Sequence, residues 1–113
     1  MIEIYHNPRC TKSRQALALL EEKRIEPEIV KYLDKGLTVS ELKGLLSKLN
    51  YSPIQLIRKN EAIWKSEYKG KELSDSDIIQ AMVDHPKLME RPIIINGDKA
   101  VIGRPTEKTL EVL

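Results

Sequence analysis

The residue in this chain best suited to covalent chemistry is its single cysteine, Cys10. It follows an Asn-Pro break after the mostly apolar stretch Ile2–Tyr5, and it directly precedes a helical pattern that begins at Thr11. Backbone amides at the start of a helix are unpaired and carry partial positive charge, which favours a thiolate over a thiol. The position therefore predicts a reactive nucleophile rather than an inert, buried small hydrophobe.

Basic side chains lie close to this cysteine along the sequence. Arg9, Lys12 and Arg14 are its near neighbours, and His6 could add a further positive charge or simply hydrogen-bond within the loop. Cations in the first turn of a helix oppose the helix dipole, at about 0.3–1 kcal/mol each. An anion bound at the loop would relieve that conflict, although for Lys12 alone a side chain extended into solvent explains the sequence equally simply.

The composition limits the classes of function. A length of 113 residues fits one domain, and the near balance of 19 basic and 17 acidic residues argues against nucleic-acid binding. No stretch reaches the length of a transmembrane helix, and the start of the sequence does not resemble a signal peptide. A lone cysteine cannot form an internal disulfide, and its spacing from His6 and His85 fits no metal site. We therefore expect a monomeric cytoplasmic protein with no metal, membrane or nucleic-acid partner.

The elements that would position Cys10 begin with a strand over Ile2–Tyr5. A helix is predicted from Thr11 to about Arg24, where Pro27 follows, and a second strand over Ile29–Leu33. Strand, helix and strand in this order predict a right-handed parallel unit.

The middle of the chain is predicted to be helical. Thr38 and Glu41 form a capping box before four leucines at helical spacing, Leu42, Leu45, Leu46 and Leu49. Ser52-Pro53 open a short helix through Ile57, and Ser74-Asp75-Ser76-Asp77 cap another that stops before His85-Pro86. Residues 60–73 give no clear signal.

Two apolar runs near the end of the chain predict a hairpin. Ile93–Ile95 and Ala100–Ile102 flank an Asn-Gly turn, and the unbroken apolar run at Ile93–Ile95 suits a buried central strand. A last short helix starts at Pro105-Thr106. The predicted fold class is α/β, with one domain over 1–113, a helical insertion at about 38–89 and a mixed four-stranded sheet flanked by helices.

Four segments, in order along almost the whole chain, resemble the glutaredoxin-coupled arsenate reductases. They are Tyr5-His6-Asn7-Pro8-Arg9-Cys10-Thr11-Lys12-Ser13-Arg14, Leu56-Ile57-Arg58-Lys59-Asn60, His85-Pro86 with Arg91-Pro92-Ile93, and Gly103-Arg104-Pro105. The resemblance implies a thioredoxin-like fold with the order βαβ, helical insertion, ββα. That order agrees with the elements predicted above.

The resemblance also implies a role for each of several side chains. Cys10 would attack arsenate, while Arg58, Arg91 and Arg104 would bind its oxygens and stabilise charge in the transition state. Beside the cysteine, His6 would favour the thiolate, Ser13 would hydrogen-bond near the sulfur, and Arg14 would belong to the same anion-binding loop. Pro92 would follow a cis peptide bond. Taken singly, each arginine is better explained as a solvated or salt-bridged surface side chain, and only the motifs favour a shared site.

A single cysteine limits the electron source. Reduction of arsenate to arsenite takes two electrons, and the position three residues after Cys10 is Ser13 rather than a second cysteine. External thiols must therefore supply the electrons. The resemblance implies glutathione as co-substrate and a glutaredoxin as partner, with no bound cofactor.

Two alternative functions stay open from the sequence. One is a redox-sensing regulator resembling Spx, which binds RNA polymerase; such proteins often carry a C-x-x-C loop and lack the Gly-Arg-Pro segment. Ser13 and Arg104 argue against it. The other is a general glutathione-dependent thiol reductase, which would share Cys10 and Arg91 but need not keep Arg58 or Arg104.

Overall fold

The computed structural model describes all residues 1–113 and contains four β-strands, five α-helices and three short 3-10 helices. The chain divides into two compact units: the first combines Met1–Lys35 with Arg91–Leu113, and the second is Gly36–Glu90. The helical insertion predicted at about 38–89 falls within the second unit. None of the helices has the length and apolar character needed to cross a bilayer.

The first unit is built on a mixed four-stranded sheet. Its elements are β1 (Ile2–Tyr5), α1 (Thr11–Glu22), β2 (Glu28–Val30), α2 (Tyr32–Lys35), β3 (Ile93–Asn96), β4 (Lys99–Ile102) and a 3-10 helix (Thr106–Val112). The strand order is β2-β1-β3-β4, with β1 parallel to β2 and antiparallel to β3, and with β3 and β4 forming a hairpin. The predicted mixed sheet and the predicted parallel pairing of the first two strands are confirmed.

The core of this unit joins the sheet to α1. Ile4 of β1 and Ile94 of β3 are fully buried, and they pack with Ala16 and Leu20 of α1 and with Val112 near the C-terminus. Burying several such side chains stabilises the fold by roughly 1.5–3 kcal/mol each. The strand that precedes the Cys10 loop and the helix that starts after Cys10 are thus held by the same core.

The second predicted strand is shorter than expected. β2 ends at Val30, and the chain then turns into α2, where the amides of Asp34 and Lys35 both donate to the carbonyl of Lys31. The Tyr32 ring is 1% exposed and stacks on Tyr5, with 6.2 Å between ring centroids. This packing inside the unit overrides the local strand pattern that extended the prediction to Leu33.

The second unit is helical. It contains α3 (Val39–Leu49), a 3-10 helix (Pro53–Leu56), α4 (Ala62–Glu67), α5 (Asp75–Asp84) and a 3-10 helix (Pro86–Leu88). The capping boxes at Thr38 and Ser74 are both formed, and the four leucines of α3 are buried as predicted. The helix α4 lies within residues 60–73, where no secondary structure was predicted, and its buried residue is Trp64.

Candidate active site

Cys10 is the N-cap residue of α1. The loop before it is closed by a hydrogen bond from the Cys10 amide to the Asn7 carbonyl at 2.9 Å, and the Arg14 amide donates to the Cys10 carbonyl at 3.0 Å. No acidic residue lies in the first turn of α1, so no carboxylate competes there with the sulfur for the positive end of the helix. The side chain is 8% exposed, shielded by its loop.

The side chain that reaches the sulfur is Arg104. Its Nη2 atom donates to Cys10 Sγ at 3.4 Å, across 94 positions of sequence. Its Nε atom donates to the Arg91 carbonyl oxygen at 2.6 Å, which fixes the orientation of the guanidinium plane. A permanently charged, planar group held against the sulfur leaves N–H donors for an anion beside it.

Gly103 explains how Arg104 comes so close. The Gly103 amide donates to the Pro92 carbonyl at 2.9 Å, and a Cβ atom at Gly103 would lie 2.9 Å from Ile94 Cδ1 and 3.0 Å from Pro92 Cγ. Only glycine fits this contact between the two backbone segments. The peptide bonds Arg91–Pro92 and Arg104–Pro105 are both cis. The second of these, and the packing reason for Gly103, were not among the sequence predictions.

His6 and Ser13 contact each other. His6 Nδ1 lies 2.6 Å from the Ser13 hydroxyl oxygen, and the same oxygen accepts a hydrogen bond from the Asn7 amide at 3.0 Å. His6 is 7% exposed and Ser13 is fully buried. The hydroxyl that was expected beside the sulfur therefore ties the end of β1 to the first turn of α1.

The surroundings of His6 oppose a positive charge on its ring. Burial of the ring, and then the positive charges of Lys31 and Arg14, lower the pKa of His6 below its ordinary value. Its contact with Ser13 fits the hydrogen-bonding alternative for His6, and an effect of His6 on the Cys10 thiolate stays a prediction.

Arg14 folds back onto the outside of the same loop. Its Nη1 donates to the Pro8 carbonyl at 2.9 Å, and its Nη2 donates to the Thr11 hydroxyl at 3.2 Å. The conflict between this cation and the helix dipole is reduced by these two oxygens. Arg14 therefore braces the loop, and a role as a ligand of a bound anion stays a prediction.

Of the remaining predicted residues, Arg91 belongs to the first unit and Arg58 to the second. Arg91 is half-buried and its carbonyl receives the Arg104 hydrogen bond. Arg58 follows the 3-10 helix Pro53–Leu56, and its Nη1 donates to the Glu61 carboxylate. The placement of Arg58 at a common site with Cys10 stays a prediction.

A cavity of about 710 Å³ lies within the second unit. Its walls combine Trp64 and Tyr68, which stack with 5.5 Å between ring centroids, with four exposed lysines: Lys59, Lys65, Lys69 and Lys71. It contains none of the predicted site residues. The His, Cys, Asp and Glu side chains of the chain form no group of three that could hold a metal ion.

Comparison with known proteins identifies the family. The sequence matches the model of the ArsC family over residues 5–112. The chain belongs to the ArsC family. An arsenate reductase of Haemophilus influenzae is 47% identical over 112 residues, which cover 97% of each chain. An arsenate reductase of Escherichia coli is 36% identical, and the match covers 99% of this chain and 80% of that one.

The structural comparison agrees. The solved arsenate reductase of Vibrio cholerae matches this ArsC family member with a TM-score of 0.95 and 44% identity, covering 99% of this chain and 97% of that one. The predicted thioredoxin-like fold, with its mixed four-stranded sheet flanked by helices, and the predicted family are therefore confirmed.

Two neighbours of the predicted site residues do not follow from the motifs: Gly103, which packs against Ile94, and Glu61, which pairs with Arg58. The signal for Glu61 was available, since a carboxylate three residues after an arginine is a common side-chain pair. The signal for Gly103 was not, because its neighbours Ile94 and Thr109 meet it only in the folded unit.

Proposed function

We propose that this ArsC family member reduces arsenate to arsenite, with Cys10 as its nucleophile and with glutathione and a glutaredoxin as electron donors. The observation that carries the proposal is the hydrogen bond from Arg104 Nη2 to Cys10 Sγ at 3.4 Å. It joins a candidate nucleophile at a helix N-terminus to a guanidinium that can bind an oxyanion. Arsenate reductases at 44–47% identity over nearly the full chain support the choice of substrate.

The oxyanion would be bound by arginines. Arsenate is tetrahedral and anionic near neutral pH, and guanidinium groups bind such oxygens through paired, charge-assisted hydrogen bonds. Arg104 is already oriented by the Arg91 carbonyl, so its donors need little reorganisation when charge moves onto the oxygens. We assign Arg91 and Arg58 to the same task from the family motifs.

The proposed reaction starts with two substitutions at arsenic. The Cys10 sulfur replaces one oxygen of arsenate, which leaves as water and gives a Cys10–S–As(V) adduct. The glutathione sulfur then replaces a second oxygen, which also leaves as water. The oxidation state of arsenic is still five at this point, and the arsenic carries one sulfur from each thiol.

The electron transfer follows in the next step. A glutaredoxin thiolate attacks the glutathione sulfur, and the electron pair of the As–S(glutathione) bond passes to arsenic, which becomes As(III). The glutathione and glutaredoxin sulfurs leave as a mixed disulfide. Water then hydrolyses the remaining Cys10–S–As(III) bond, which releases arsenite and restores the Cys10 thiol.

The need for external thiols rests on the site itself. The residue three positions after Cys10 is Ser13, whose hydroxyl is engaged by His6 and the Asn7 amide. A serine at this place cannot close a disulfide with Cys10, and the chain has no other cysteine. The second thiol of the reaction must therefore come from another molecule.

The test is an arsenate-dependent NADPH oxidation assay coupled through glutathione, glutathione reductase and glutaredoxin. We expect turnover with the complete system and none when either glutaredoxin or glutathione is left out. Turnover with thioredoxin and thioredoxin reductase in their place would contradict the proposed donors but keep the arsenate reductase activity. No turnover with any donor, together with binding to RNA polymerase, would favour a regulator resembling Spx.

A further inference from the structure

We propose that Glu61 is a positioning residue for Arg58, and that its carboxylate fixes one edge of the guanidinium before an oxyanion binds to the remaining donors. This inference rests on the proposed function, because it assumes that Arg58 binds arsenate. The observation behind it is the contact between Arg58 Nη1 and Glu61 Oε1, at 2.5 Å. Nothing in the family motifs quoted above includes Glu61.

The backbone holds both partners of this pair in place. The Arg58 amide donates to the Leu88 carbonyl at 2.7 Å, and the Glu90 amide donates to the Leu56 carbonyl at 2.8 Å, around a bridge between Ile57 and Met89. The residue that carries the guanidinium is therefore tied to a second segment of its own unit. Its side chain, which has several rotatable bonds, still needs a partner to select one direction.

Glu61 is equally fixed. Its amide donates to the Arg58 carbonyl at 3.1 Å, which closes a turn between the two residues, and its carbonyl accepts from Lys65 in α4 at 3.2 Å. Glu61 is the N-cap residue of α4, but its side chain does not cap that helix. An acidic N-cap residue usually accepts a hydrogen bond from the backbone of its own helix. The Glu61 carboxylate instead accepts a hydrogen bond from Arg58.

The pair is partly buried, with its two side chains 21% and 25% exposed, so removing one partner is expected to change the free energy of unfolding as well as activity. A carboxylate next to an anion-binding arginine also weakens the attraction of that arginine for an anion. We infer that the pair serves to orient Arg58. The guanidinium loses rotational freedom before arsenate binds, while its affinity for arsenate in the ground state is lowered.

These two effects can be separated by substitution. Glu61→Gln keeps a carbonyl oxygen that can accept from Nη1 but removes the negative charge, so we expect kcat to be largely kept and KM for arsenate to fall. Glu61→Ala removes the acceptor as well, so we expect kcat/KM to fall on the order of 10-fold, mainly through kcat. A purely structural role would not divide kcat from KM in this way.

The matched control is Glu111→Ala, which breaks the pair of Lys108 and Glu111. That pair has the same spacing of three residues, its two side chains are about half exposed, and neither is a predicted site residue. We expect its kinetics to equal those of the unchanged chain. All variants, together with Arg58→Ala, are assayed in the coupled NADPH system with a thermal unfolding measurement alongside.

The outcomes distinguish the two proposals. If Arg58→Ala loses activity while Glu61→Ala keeps full kcat/KM, the positioning role is overturned and the proposed function stands. If kcat/KM falls as far in Glu61→Gln as in Glu61→Ala, and KM does not decrease, the proposal that the Glu61 oxygen acts as a hydrogen-bond acceptor for Arg58 is wrong. If Arg58→Ala is fully active, Arg58 leaves the proposed site and the role of Glu61 ends with it. If Glu61→Ala does not fold, the Glu61→Gln result decides.

Discussion

The two units hold their charged groups in different ways. In the first, Cys10 and His6 are less than a tenth exposed, and Ser13 is fully buried beneath the loop. In the second, Arg58 is paired with a carboxylate near the surface, and the lysines around the Trp64 cavity are exposed. The proposed nucleophile is thus surrounded by packed side chains, whereas the arginine of the second unit is held by an ion pair.

This difference predicts how substitutions act. A change at a packed position of the first unit alters stability together with activity, because the contacts that orient the site also belong to the core. We expect a change at Arg58 or Glu61 to alter activity more than stability, since neither side chain belongs to the buried core. The following experiments test that contrast, beginning with the largest expected effect.

Cys10→Ser removes the proposed nucleophile while keeping the size of the side chain. We expect arsenate-dependent turnover to fall by at least about 10³-fold, because a hydroxyl at this place cannot form the adduct with arsenic. The coupled NADPH assay measures it. Appreciable turnover in this variant would show that another group attacks arsenate.

Arg104→Lys keeps a positive charge but removes the planar donor group that contacts both the sulfur and the Arg91 carbonyl. We expect kcat/KM for arsenate to fall about 10–100-fold, since an ammonium cannot make both contacts and still donate to an oxyanion. We expect a larger decrease in kcat/KM for Arg104→Ala. Equal activity of the lysine variant and the unchanged chain would remove Arg104 from the site.

Gly103→Ala inserts a methyl group where Ile94 and Pro92 leave no room. We expect a loss of about 1–3 kcal/mol in the free energy of unfolding, measured by urea denaturation, and a parallel loss of activity as Arg104 shifts.

Gly44→Ala is the matched control in the second unit. Gly44 is exposed within α3, and nothing lies within 4 Å of a Cβ atom added there. We expect a gain of about 0.5–1 kcal/mol with no change in activity, because alanine favours the helix. Equal effects of the two glycine substitutions would contradict the close approach at Gly103.

The pH dependence of stability tests the packing of His6. Its pKa is lowered in the folded chain, so the unfolded chain binds more protons at pH values between the folded pKa and the ordinary value of about 6.5. Stability from this group is complete above that ordinary value and is lost as the pH falls toward the folded pKa. We expect the melting temperature of His6→Gln to fall less between pH 7 and pH 5 than that of the unchanged chain, and an equal fall in both would contradict the burial of a neutral ring.

Much of the fold could be predicted because its signals are local. The capping box at Thr38, the leucines of α3 and the Asn-Gly hairpin after Ile95 are each set by residues close together in sequence. The end of β2 was predicted wrongly because burial of Tyr32 against Tyr5 is a tertiary effect. The helix Ala62–Glu67 gave no clear signal since six residues hold little periodicity.

The sequence was sufficient to name the candidate site residues but not to predict which of them contact each other. The position of Cys10 at a helix start follows from the break before it and the helical pattern after it. The contact of His6 with Ser13 joins residues on either side of a loop, and the burial that lowers the His6 pKa depends on the folded core. Residue types therefore indicated an anion site, while the partner of each side chain required the structure.

The central claim is that Cys10 is a nucleophile in a site that binds arsenate through Arg104. Alkylation of the single cysteine by iodoacetamide, followed by intact mass spectrometry, tests it directly. We predict that arsenate slows the alkylation of Cys10 in a saturable manner, that chloride at equal ionic strength does not, and that Arg104→Ala loses this protection. An alkylation rate that arsenate leaves unchanged would contradict the account.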